Sequence, residues 1–69
     1  MTDLHSLSIN RQIELVRKRL HLDVFVNDPH PQVREEVARR GYGLAQLLFD
    51  SEPYIRELAN DRLTLAINK

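Results

Sequence analysis

From Ile9 onward, apolar and charged positions alternate with a helical period. Ile9, Ile13, Val16 and Leu20, with Leu15 beside them, fall at the i, i+4, i+7, i+11 spacing of one helix face, and Arg11, Arg17, Lys18 and Arg19 fill the rest. The spacing predicts a helix over residues 9–20, with Ser8 as its N-cap and a Glu14–Lys18 pair in the favourable order. Residues 1–8 show no clear period. Residues 22–27 (LDVFVN) read locally as a strand at Val24-Phe25-Val26, but a single strand would have no partner in this chain. Asp28-Pro29-His30-Pro31 is a turn: prolines at alternate positions cannot both lie inside a helix, whereas Pro31 suits a first helical position. A helix over 32–40 follows, with Val33 and Val37 inward, Ala38 beside them and Gly41 as its stop. After the Gly41-Tyr42-Gly43 corner come a short helix over 44–49 and a turn over 50–52. The last helix then runs from Pro53 to about Asn68, with Ile55, Leu58, Ala59, Leu63, Ala66 and Ile67 as its inward face.

An internal repeat organises these elements. Residues 28–40 (DPHPQVREEVARR) overlay residues 50–62 (DSEPYIRELANDR) at a shift of 22, with five of thirteen positions identical: Asp28/Asp50, Pro31/Pro53, Arg34/Arg56, Glu35/Glu57 and Arg40/Arg62. Leu44, Leu47, Leu48 and Asp50 likewise lie 22 residues after Leu22, Phe25, Val26 and Asp28, which decides residues 22–27 in favour of a short helix. The N-terminal helix fits no repeat, the second copy carries Leu58-Ala59 one position early relative to Val37-Ala38, and no second Gly-Tyr-Gly interrupts the last helix. Both ends therefore read as caps of the kind a stacked repeat needs.

Composition narrows the class. Sixty-nine residues make one domain, and a chain this short buries only roughly 60% of its unfolded surface. Cysteine is absent, which excludes disulfides and Cys-based zinc sites and fits a cytoplasmic setting. Ten basic and ten acidic side chains cancel, leaving no overall electrostatic footprint for nucleic acid or membrane. No apolar run approaches the ~20 residues of a membrane span, and the N-terminus lacks the basic-then-apolar order of a signal peptide.

The order Asp28-Pro29-x-Pro31-x-Val33-Arg34, followed by Val37-Ala38, resembles the turn-and-helix signature of HEAT-like repeats. The short period and the run EVARRGYGL with LLFD look closer to a bacterial and phage subgroup of these repeats, with leucine-rich repeat variants as neighbours. The resemblance covers about residues 20–63. It implies an all-α fold, a short α-solenoid of about two repeats of ~22 residues. An N-terminal cap helix would lie in 1–21, repeat units in 22–43 and 44–69, and the last helix would extend as a C-terminal cap. For function it implies a non-catalytic protein–protein interaction or scaffold module, with a nucleic-acid-binding helical repeat as the alternative.

Candidate chemistry is sparse. Asp28, Arg34, Asp50 and Arg56 recur with the framework, so they read first as a structural ladder that satisfies turn groups at helix starts, and second as an anion site. Arg17-Lys18-Arg19 and Arg39-Arg40 spread around their helices, and Arg39 aligns with Asp61, so no basic stripe is maintained. His5, His21 and His30 lack the three- or four-residue spacing of a helical metal site and read as solvated. No nucleophile, acid–base pair or phosphate loop emerges, so neither an enzyme nor a cofactor is expected. The small core favours a protein partner or self-association, with Tyr54, Tyr42, Ile9, Ile13, Val16 and Leu65 as candidate contact residues.

Overall fold

In a computed structural model, which describes residues 3–67, the chain is all-α, with no strand among those residues. A single 3-10 turn, Leu4–Ser6, comes first, capped by the Asp3 side chain. Then follow α1 (Ile9–Arg17), α2 (Leu22–Phe25), α3 (Pro31–Arg39), α4 (Leu44–Leu47) and α5 (Pro53–Ile67). The long helices α1, α3 and α5 start at Ile9, Pro31 and Pro53, each 22 residues after the last, and α2 and α4 start at Leu22 and Leu44 with the same offset. Helix α3 is the centre of the molecule: it packs against both α1 and α5 and also touches α2 and α4.

The starts and stops follow from local chemistry. Ser8 caps α1 by accepting a hydrogen bond from the Arg11 amide. Pro31 and Pro53 open α3 and α5 at the position where a missing amide proton costs nothing. Helix α3 stops at Gly41 (φ +80°): the Gly41 amide donates to Ala38 O at 2.9 Å and the Tyr42 amide to Val37 O at 3.3 Å, which satisfies two orphan carbonyls. Twenty-two residues earlier the same two bonds end α1, from Arg19 to Val16 O (2.8 Å) and from Leu20 to Leu15 O (3.0 Å). Here Arg19 (φ +60°) and His21 (φ +57°) adopt the left-handed conformation that Gly41 and Gly43 adopt in the later corner.

That geometry corrects three expectations. The first helix ends at Arg17 rather than Leu20, and Leu20 is exposed, because the left-handed Arg19 turns the chain away. The N-terminal helix, expected to fall outside the repeat register, starts and stops 22 residues before α3 does. Residues 1–8, which showed no period, include the Leu4–Ser6 turn.

The core is formed by Val16, Phe25, Val26, Val33, Val37, Ala38, Leu47, Ile55 and Ala59, drawn from all five helices and the α2 cap. Val37 and Ala59 are counterparts at a shift of 22 and both fully buried, so α5 carries no one-residue slip against α3. Gly43 is held by packing as well as by its φ: a Cβ there would lie 2.7 Å from Val26 Cγ2. The short helix ends at Leu47 rather than Phe49, and Phe49 stands 86% exposed beyond it. The inward face expected for α5 holds for Ile55, Ala59 and, in part, Leu58 and Leu63. Ala66 is exposed and Ile67 is 78% exposed, because α5 outruns the helices it packs against; Asn68 lies outside the described residues.

Candidate interaction surface

The turns that open α3 and α5 are built on buried aspartates. Asp28 Oδ2 accepts the His30 amide and Asp50 Oδ1 the Glu52 amide, both at 2.9 Å, so each carboxylate folds its own turn. The arginine six residues on completes the unit: Arg34 Nη1 donates to Asp28 O at 2.7 Å, and Arg56 Nη1 donates to Asp50 O at 2.6 Å. Arg34 then reaches forward to the turn that opens α5. Its Nε and Nη2 grip Asp50 Oδ2 and Oδ1 at 2.7 and 3.1 Å, a forked charge-assisted pair that is mostly buried. The hydrogen bond to Asp50 raises the Arg34 pKa further above its ordinary value. Burial pushes the Asp50 carboxyl up, but the bonds from Arg34 and the Glu52 amide, with the charges of Arg34 and Arg56, outweigh it and hold Asp50 below the usual range.

Asp28 is held differently. Its side chain is fully buried and meets two imidazoles: His5 Nδ1–H donates to Oδ1 at 2.6 Å and His30 Nδ1–H to Oδ2 at 2.8 Å. His5 and His30 are therefore only partly solvated, at 35% and 36% side-chain exposure, and each has a fixed carboxylate partner. His5 comes from the 3-10 turn, 23 residues before its partner, and no spacing rule for a single helix could find that pair. His5 and His21 also set their ring edges against Phe25, with centroids 6.4 and 6.5 Å away. At the place where α3 carries Arg34, α1 carries Gln12, which is fully buried and donates to Leu7 O at 2.8 Å. No group of three or more His, Cys, Asp or Glu that could hold a metal ion occurs among the described residues.

Most basic side chains are also engaged within the molecule. Arg17 and Arg40 flank the buried Glu36 at 3.5 and 3.3 Å, Lys18 lies 3.5 Å from Glu14, which also pairs with Arg11, and Arg39 pairs with Glu35 at 3.3 Å. Arg19 and Arg62 donate to Arg40 O and Arg39 O.

The candidate contact residues separate sharply. Val16 is fully buried in the core and unavailable to a partner. Ile9 and Ile13 are partly buried, packed against that core. Tyr42, Tyr54 and Leu65 (63%) are exposed, as are Phe49 and also Ile67, which the sequence assigned to the inward face of the last helix. Tyr54 stands near α3: partial desolvation and the Glu52 and Glu35 carboxylates push its hydroxyl pKa up. No protein-family model matches the chain, and neither a curated protein nor a solved structure is significantly similar to it.

Proposed function

We propose that this chain is a non-catalytic protein–protein interaction module, a short stack of HEAT-like helical units that works by presenting one surface to a partner protein in the cytoplasm. The observation that carries the reading is how the side chains are spent. The buried acids and most of the basic groups satisfy one another, while large apolar side chains (Tyr42, Phe49, Tyr54, Leu65 and Ile67) face solvent on a very small molecule. Large apolar side chains left in solvent, where they adjoin, supply the kind of area that a partner protein covers. The equal spacing of the helix starts supports the stacked-unit architecture, and the cysteine-free composition supports the compartment. Pairing of Arg17, Lys18, Arg39 and Arg40 with carboxylates counts against the nucleic-acid alternative.

The test is affinity capture from the source cells by the immobilised chain, read by mass spectrometry. Phe49→Ser with Tyr54→Ala serves as the surface control, and light scattering on the chain alone reads self-association. The reading expects a captured protein, or a dimer, that the control loses. A monomer that captures nothing, or that shifts DNA or RNA at low salt, would remove it.

A further inference from the structure

We propose that the outer end of the stack, formed by Phe49, Arg56 and Asn60, is the docking face of the module, and that its occupant is a helical hairpin of another protein whose connecting turn carries an aspartate. The inference rests on the interaction-module reading and names its surface and partner class.

The molecule contains its own template for this contact. One unit earlier, the equivalent face of α3 is covered by the α4–turn–α5 hairpin. There Arg34 spends Nη1 on its own turn carbonyl and turns Nε and Nη2 onto Asp50 of the incoming hairpin. Ala38 on that face is fully buried, and the amide oxygen of Asn27 accepts from Gln46 of α4. Shifted by 22 residues, these three positions are Arg56, Asn60 and Phe49. Arg56 spends Nη1 on Asp50 O in the same way, and among the described residues its Nε and Nη2 make no further hydrogen bond. Asn60 is exposed where Ala38 is buried, and Phe49, 86% exposed, stands where the also exposed Asn27 is bonded to α4. The guanidinium is thus already fixed at one corner, and its open edge has the fork geometry that fits a carboxylate.

The substitutions define the partner. An aspartate in its turn would meet Arg56. Phe49 in place of Asn27 calls for an apolar side chain where α4 has Gln46, and Asn60 in place of Ala38 tolerates a polar neighbour. A second copy of this chain is a poor occupant: Asp28 and Asp50 are buried and already bound, and Ser6 stands 22 residues before Asp28, where the first turn would have to offer its acid.

The test uses the isotope-labelled full chain and a synthetic hairpin as probe. The probe is residues 44–64 of this sequence with Gln46→Leu, stapled across the solvent-side pair Glu57/Asp61 and confirmed helical by circular dichroism before use. The expected result is a saturable NMR shift at the Phe49 ring, the Arg56 Nε–H and the Asn60 side chain. It should weaken about tenfold or more when the probe carries Asp50→Asn or the chain carries Arg56→Lys, as for loss of a paired charge at an interface. Equal binding of the Asp50→Asn probe, shifts centred on Tyr54 instead, or no saturable shift with a helical probe would overturn the proposal. Concentration-dependent shifts of the same residues in the chain alone would make a second copy the occupant and overturn the choice of partner. The capture experiment above judges the broader reading separately, since capture can persist with Phe49 and Arg56 substituted.

Discussion

Asp28 and Asp50 hold the same place in two consecutive turns, and their carboxylates are satisfied by different chemistry. Both fold the turn by accepting the amide two residues on. Asp50 takes a forked guanidinium from the helix in front, whereas Asp28 takes two imidazoles, one from the 3-10 turn and one from its own turn. The cause lies in α1. Gln12 stands where α3 has Arg34 and is too short to reach forward, so the first unit borrows His5 instead. A buried carboxylate is thus the fixed requirement of the turn, and the donor is whatever the preceding element can supply.

The comparison can be broken hardest at Arg34. Arg34→Ala leaves Asp50 buried without its cation and Asp28 O without its donor, a loss of about 3–5 kcal/mol. In a domain of this size that lowers Tm by roughly 12 °C or more, which thermal circular dichroism reads directly. His5→Ala removes one of several donors to Asp28 and is expected to cost about 1–3 kcal/mol, clearly less than Arg34→Ala. Adding Gln12→Arg to His5→Ala sharpens the point: a guanidinium in the Arg34 position should reach Asp28, so the double variant melts above His5→Ala alone.

Acid provides a milder probe. Asp50 sits below its ordinary pKa in the folded chain, so its contribution is fully present above the usual aspartate value of ~3.9 and is lost as pH falls through the lower folded value. Asp50→Asn is expected to be less stable near neutrality but to show a shallower fall in Tm below pH ~4 than the parent chain. The smallest effect belongs to Arg56→Ala. That side chain is exposed and gives up a single bond to Asp50 O, so the expected change is within about 1 kcal/mol despite its repeat equivalence to Arg34.

Much of the fold was legible because proline and glycine punctuate it: Pro31 and Pro53 lock φ at a helix start, and Gly41 takes without penalty the left-handed φ that ends one. The first unit was less legible because its backbone keeps the pattern while its side chains abandon it. Arg19 and His21 occupy left-handed positions that glycine fills later, so a search by residue identity loses the register there. The Arg34–Asp50 pair could be anticipated from recurrence alone. The His5–Asp28–His30 cluster could not, since it depends on how the 3-10 turn folds back on the second turn. Ala66 and Ile67 were placed inside because apolar periodicity reports which face of a helix is greasy, not whether a neighbour reaches far enough to cover it.

Pairing of Arg34 on α3 with Asp50 in the turn before α5 as a main tie of the fold is tested most directly by a double-mutant cycle on Arg34→Ala and Asp50→Ala, followed by urea denaturation at neutral pH. A coupling energy of roughly 1.5–3 kcal/mol between the two positions is the predicted result. Additivity of the two single losses to within about 0.3 kcal/mol would contradict it.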